Sequence, residues 1–482
     1  MTADSEFVPA IKTHPTAPAG VHHCFSAEEV ALAESRVVQT GVLDKLAAWR
    51  QQDARSTSAW TSSASISDRA VLVGFLLLAG HHSPLWIRSL ADVFQYQLSA
   101  ESRALLDLPE PSNVVGNFLG ERGQWRSRTS RAVHRLLAPM DPFPQGRRTA
   151  ATHTEVQAAL DAHDTDREKR MRTRLNEFTE GFLHMTFMQQ QPLLRQSSSH
   201  IDLAIEDSFV ASPTRRGYLK KTLAQKVATE RDADPLTLRP GPVEIFAGSW
   251  IDRKDNGRHD FGWGWAANVA VRVDSRRPGE ARFPELAISA TLSMPNIGAP
   301  EEAASLLRAA LGTGLSPAVA YADSQYWAKS PSDGFGKSAF PPKLTPSVDR
   351  GADQRNIPVK TDGWSLIDSR KPMSFQEHDG TRSYEGIVYG TAEWDAFHSH
   401  ARSSAENFTA GITNRHRENL GKSSHRAVRG FAAAQVFVTV LLTNYNLREI
   451  ASFESVGNYD DMTQAPAPDV PATAGQPAQL LR

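Results

Sequence analysis

The sequence predicts a mixed α/β chain, with helices filling the part before His200 and strands beginning there. Apolar residues recur at helical spacing through much of the first part. From Ile201 they alternate instead, with Leu203 and Ile205 sharing its side of a strand. At 482 residues the chain also has room for a core of roughly two hundred residues and an accessory domain.

Residues 27–49 read as a helix with Ser26 as N-cap and Glu28 and Glu29 in its first turn. With the lead before it and a Ser/Thr/Ala-rich linker over 55–67, this helix forms a first segment, 1–67. Two helices over 68–79 and 85–98, split by Gly80 and Pro84, and an arginine-studded helix over 125–137 make a second segment, 68–150. That unit is either a helix-turn-helix that binds DNA or a bundle that only packs on the core. A charged helix over 152–188 connects it, as segment 151–199, to the rest.

Strands are predicted over 201–209, 262–273 and 283–290, then a helix over 300–311 and a short strand over 318–322 that ends at Asp323. The Pro-, Gly- and Ser-rich stretch 327–355 reads as a loop. It is followed by strands at 357–359 and 386–389 within an insertion spanning about 327–392. Helices are expected over 393–419 and 424–445, the second largely buried, and 451–482 reads as a disordered tail. Three strands, a helix and a further strand is the order of an RNase H-like α/β domain, here 200–450, preceded by an all-helical N-terminal domain.

Composition narrows the class. A hydrophobic share of 40% and a charged share of 22% fit a folded globular chain. Cys24 is the sole cysteine, which excludes an internal disulfide and argues against cysteine-based zinc. The apolar stretches near 71–79 and 431–442 are too short to span a bilayer, so a cytoplasmic protein is expected.

Three acids stand out. Asp207 shares the side of Ile201, Leu203 and Ile205, Asp323 directly follows a strand, and Glu406 lies four residues after Arg402 on one helical face. Carboxylates brought together repel unless a cation lies between them, and Mg²⁺ or Mn²⁺ prefers such hard oxygen ligands. Glu206 beside Asp207 and Glu393 ahead of Glu406 are neighbouring acids; Asp207 and Glu406 are preferred.

These residues lie in motifs that occur in order. Ile205-Glu206-Asp207-Ser208-Phe209-Val210 resembles the first-aspartate strand of bacterial insertion-sequence DDE transposases with an RNase H-like core. Tyr321-Ala322-Asp323-Ser324-Gln325-Tyr326 resembles their second-aspartate strand, with an aromatic three residues after Asp. Arg402-Ser403-Ser404-Ala405-Glu406-Asn407 is similar to the helix of the branch with a Tyr, Arg, Glu, Lys signature. Arg426, Arg429 and Gly430, then Asn446-Leu447-Arg448, look like its closing helix. Ser399 stands where the signature has Tyr, and Thr413 where it has Lys.

The resemblance implies a transposase that cleaves and joins double-stranded DNA at element ends and target, as a homodimer or larger synaptic assembly associated with the nucleoid. Asp207, Asp323 and Glu406 would bind Mg²⁺ or Mn²⁺ and Arg402 would orient the last acid, the metals serving in-line displacement at phosphorus. The alternative implied is a catalytically inactive, transposase-derived DNA-binding protein or regulator. A nuclease without joining activity is a third reading.

A net charge of −1 and a pI near 7.0 give no global basic footprint, so DNA binding requires local clusters. Arg122, Arg126, Arg128, Arg131, Arg135, Arg147 and Arg148 form one, and Arg215, Arg216, Lys220 and Lys221 a second. Arg415, Arg417, Lys422, Arg426 and Arg429 form a third; solvated faces are the alternative for each. Other patterns carry less. Gly336-Lys337-Ser338 and Gly421-Lys422-Ser423 lack the first Gly of a phosphate loop, and His22, His23 and Cys24 lack a fourth ligand. Trp250, Trp263 and Trp265 read as core or hairpin aromatics, with stacking on a DNA base as the sharper alternative.

Overall fold

The computed structural model describes residues 24–54, 66–112, 118–144, 150–196, 200–214, 216–217, 242–253, 259–273, 282–295, 297–323, 326, 354–358 and 392–455. The linker over 55–65, most of the 327–355 loop, the strand expected at 386–389 and the tail from 456 lie outside them, as do Arg147, Arg148, Arg215, Lys220 and Lys221.

Ser26 opens α1 (Ala27–Gln39) with a capping box: its Oγ accepts from the Glu29 N–H at 3.1 Å, and Glu29 Oε2 accepts from the Ser26 N–H at 2.8 Å. Ser26→Ala is expected to lower stability by about 1 kcal/mol, read as a fall in denaturation midpoint. The single helix expected over 27–49 is two, α1 and α2 (Val42–Ala54), because Gly41 turns the chain at φ 67°.

Helix α3 (Asp68–Gly80) starts on a Ser67 cap and is buried at every residue from 70 to 79. It is apolar all round because α1, α6 (Phe118–Leu137) and the final helix enclose it. The partner expected over 85–98 is a short helix, α4 (Ile87–Asp92), running into a π turn at Val93–Gln97. A further helix, α5 (Ala100–Leu105), was not foreseen.

The connecting helix is also broken. Asp164 ends the link after α7 (His153–Asp161) and caps α8 (Thr165–Gln189), accepting from the Asp166 and Arg167 N–H groups at 3.1 and 2.9 Å. Helix α8 buries Leu175, Phe178 and Phe182 against the final helix, with Thr179 and Thr439 hydroxyls 2.8 Å apart between them. A short α9 (Pro192–Gln196) leads into the sheet.

Among the described residues the sheet has six strands: β1 (His200–Ala211), β2 (Gly248–Arg253), β3 (His259–Val273), β4 (Ala287–Ser293), β5 (Ser316–Asp323) and β6 (Gln354–Pro358). β1 and β3 are antiparallel neighbours, and β2 and β4 divide the other edge of β3. After β4 the chain crosses through α10 (Ala299–Gly312) and returns as β5, parallel to β1, with β6 antiparallel beyond it. Gly264 has to be glycine, since a Cβ there would lie 2.1 Å from the Val210 carbonyl oxygen.

Each side of the sheet is covered differently. Leu203, Ile205, Ala270, Ala320 and Ala322 join Leu306 and Leu307 of α10 in one cluster. On the opposite side Ala204 and Tyr321 meet Ala401 and Ala405 of α11 (Ala392–Thr413), while Val269, Val271 and Leu292 join the large cluster containing α8 and α12 (Phe431–Ser455). That cluster runs unbroken into the N-terminal helices through Val30, Leu72, Phe75 and Phe437. The helix expected from residue 424 starts at Phe431, because Gly430 takes φ 105° and 423–425 forms a 3₁₀ turn. No described helix is long and apolar enough to cross a membrane.

Candidate functional site

The parallel pairing of β1 and β5 brings the first two acidic motifs side by side. The ladder runs from His200↔Ser316 to Ile205↔Ala322, so Asp207, within β1, and Asp323 follow the last pair by two residues and by one. Asp207 pairs across β1 and β3 with Asn268. It follows Ile205 on the side of the sheet that α10 covers.

Asp323 is the last residue of β5; its side chain lies outside the described part. Its register position is one step past Ile205↔Ala322, level with Glu206 and not with Asp207. Glu206 alternates with Asp207 and follows Ala204 on the side that α11 covers.

Beneath Asp207 is a polar network that sequence reasoning missed. Asn268 is buried and donates to Ser293 Oγ at 3.1 Å and Thr291 Oγ1 at 3.4 Å, while its Oδ1 accepts from the Tyr326 hydroxyl at 3.0 Å. Tyr326 is the aromatic three residues after Asp323, and it is fully buried. The second motif therefore closes onto the residue opposite the first. A polar Asn in the apolar run Trp265-Ala266-Ala267-Asn268-Val269-Ala270-Val271 was the available signal.

Helix α11 presents its signature residues differently. Ala401, Ser404, Ala405, Phe408 and Ile412 face inward, and Ser404 donates to the Glu285 carboxylate. Arg402 and Glu406 lie on the outer side, joined at 2.8 Å, with side chains 56% and 60% exposed. The helix thus meets β1 and β5 through alanines and carries Glu406 away from them. Chemically the three acids suit a hard divalent cation, but in this arrangement Asp207 and Glu406 do not share a pocket. Among the described residues no group of three or more His, Cys, Asp or Glu side chains could hold a metal ion.

The basic residues divide into structural and exposed ones. Arg122 forks onto Asp92 at 3.1 to 3.3 Å, and Arg135 donates to the Ile66 carbonyl and to Asp68, so both are used in holding α6 to its neighbours. Arg126 is half-buried and Arg128 lies 5.7 Å over Trp125, which leaves Arg131 as the exposed member of the expected DNA-binding set on α6. Arg216 lies 5.7 Å over Phe261 on the β2–β3 hairpin. Arg426 corrects an expectation: it is 3% exposed, donates to the Leu420 carbonyl, and burial pushes its pKa down to about 10, so it shapes its loop and does not face a ligand. Arg429 is exposed.

The tryptophans are packing residues. Trp265 is buried with its Nε1–H on the Phe246 carbonyl at 2.9 Å, and Trp250 stacks on Phe209 at 5.5 Å. Near them Phe143, Phe246, Trp265 and Phe431 line a small concavity. Burial raises the pKa of its Glu244 carboxyl, although that carboxyl accepts the Gly430 N–H at 2.9 Å. No family model, curated protein or solved structure matches this chain.

Proposed function

We propose that the chain is a transposase of the DDE type with an RNase H-like core, cleaving and joining double-stranded DNA at the ends of its own element as a dimer or larger assembly. The observation that carries this reading is the side-by-side placement of the first two acidic motifs: the parallel pairing of β1 and β5 sets Asp323, the last residue of β5, one register step from Asp207 within β1, and Tyr326 reaches Asn268, the partner of Asp207. The strand order supports it, since antiparallel β1, β3 and β4 are followed by a helix and by β5 parallel to β1. Mg²⁺ or Mn²⁺ is the cation such carboxylates call for, and the strand acids are the residues that would hold it. The metal would supply a polarised phosphoryl group and an activated water or 3′-hydroxyl. Glu406 is not turned toward the strand acids, so no step is assigned to it.

The test is a cleavage and strand-transfer assay on duplexes carrying the element ends, with Mg²⁺ or Mn²⁺. Activity is expected in the wild type and absent in Asp323→Ala. Equal activity in both would end the assignment.

The outward Glu406, with Ser399 and Thr413 in the signature positions, favours a second reading: a transposase-derived protein that binds DNA without cutting it. Full duplex affinity with no nicking in Mn²⁺ would select it.

A further inference from the structure

The segment between α11 and α12 has a charge pattern that the proposed catalytic site does not use. From Arg415 to Arg429 it carries five Arg or Lys residues, two histidines and one acid, Glu418. Glu418 is buried and accepts from Arg448 at 3.1 Å and from Asn444 at 3.2 Å. Arg426 is buried as well. What remains outside is of one sign: Arg415, His416, Arg417, Lys422 and Arg429 are exposed. Among the described residues, no carboxylate lies within ion-pair distance of Arg415, Arg417 or Lys422.

The segment is also held in a defined shape. The Asn414 carbonyl accepts from the Arg417 and Asn419 N–H groups at 3.0 and 3.1 Å, Leu420 N–H returns to Ile412 at 2.9 Å, and Lys422 N–H closes on Asn419 at 3.0 Å. Arg426 ties the loop from inside through the Leu420 carbonyl. The N-terminal helices clamp its far end: Leu85 N–H donates to the His425 carbonyl at 2.8 Å and Trp86 Nε1–H to the Ser424 carbonyl at 2.6 Å. Trp86 in turn carries exposed Arg88, whose guanidinium lies 5.0 Å over its ring and extends the positive surface onto α4.

We infer that this loop, with Arg88 beside it, is a docking surface for the phosphate backbone of duplex DNA. Like charges gathered on a hydrogen-bonded loop repel one another, and neutralising phosphates would relieve that repulsion while releasing counterions. Backbone binding of this kind positions a duplex without reading its sequence. The inference rests on the DNA reading above but not on its catalytic residues.

The experiment measures binding of a fluorescent 40-base-pair duplex across a salt series. The protein forms are the full chain, the Arg415→Ala/Arg417→Ala/Lys422→Ala triple variant, a Lys169→Ala/Arg170→Ala control on α8, and Asp207→Ala/Asp323→Ala. The triple variant should bind at least about tenfold more weakly, with a salt slope shallower by roughly 2.7, about 0.9 for each phosphate no longer neutralised. The control should bind as the wild type does. Because the acid variant reports on cleavage and the triple variant on binding, failure of one reading is distinguishable from failure of the other. Unchanged affinity and slope in the triple variant would overturn the inference. So would binding to anionic phospholipid vesicles with none to duplex.

Discussion

Asp207→Ala is expected to reduce strand transfer by about a thousandfold or more, the several kcal/mol that a correctly held metal contributes at a phosphoryl centre. Stability should change little, since a half-buried acid is being shortened and not a core side chain. The informative comparison is Glu206→Ala. Glu206 is the residue level with Asp323 in the β1–β5 register, whereas Asp207 follows Ile205 toward α10 and Asn268. If Asp207 is the working acid, its loss is severe, Glu206→Ala is mild, and Asn268→Ala falls between because it loosens the network beneath Asp207. If Glu206→Ala is the severe change and Asp207→Ala is not, the acid has been assigned to the wrong side of the strand. Kinetics on one preformed DNA complex separate these outcomes from weakened binding.

The difficulty with Asp207 shows what the sequence could and could not reveal. Alternation of Ile201, Leu203 and Ile205 was enough to find β1, and the all-apolar run Val71 to Ala79 was enough to find a buried helix. Neither pattern says which element covers which side. The residue facing an acid across a parallel pair is set by register, which depends on how a partner far away in the chain docks. The placement of Glu406 depends on the same kind of information. Helical spacing correctly joined it to Arg402, but burial of Ala401, Ala405 and Phe408 decides that this pair lies outside.

Breaks were hidden because each depends on one residue. Gly41 at φ 67°, the Asp164 cap and Gly430 at φ 105° interrupt stretches whose apolar spacing runs on. Strand β2 was invisible because Gly-Ser-Trp-Ile-Asp-Arg has no clear alternation and is specified by pairing with β3. Arg426 looked like a ligand-binding cation because a basic residue in a basic run is ordinarily solvated. Its burial follows from the turn that the loop makes around the Leu420 carbonyl.

Asn446→Leu is expected to destabilise the fold by about 4 kcal/mol, the largest stability effect of any single substitution proposed for this chain. Asn446 sits in α12 with no exposed surface and uses its amide as a peptide group would be used. Its Oδ1 accepts the Ala287 N–H at 2.9 Å, and its Nδ2–H donates to the Ala287 carbonyl at 2.8 Å and to Thr186 Oγ1 at 2.8 Å. Ala287 begins β4, so the side chain completes that strand's backbone pairing where α12 covers the sheet, and through Thr186 it ties α8 to the same point. Leucine has the same branched heavy-atom skeleton, with bulkier methyl groups, and removes every one of these hydrogen bonds, leaving the buried Ala287 N–H and carbonyl unsatisfied while the Thr186 hydroxyl keeps its donation to the Leu183 carbonyl. At about 1 to 3 kcal/mol for each buried group left unmade, the effect is a large share of the 5 to 15 kcal/mol that typically stabilises a domain. Urea denaturation followed by far-ultraviolet circular dichroism measures it. A change below about 1 kcal/mol would mean that the amide does not bridge α12 and β4 in solution.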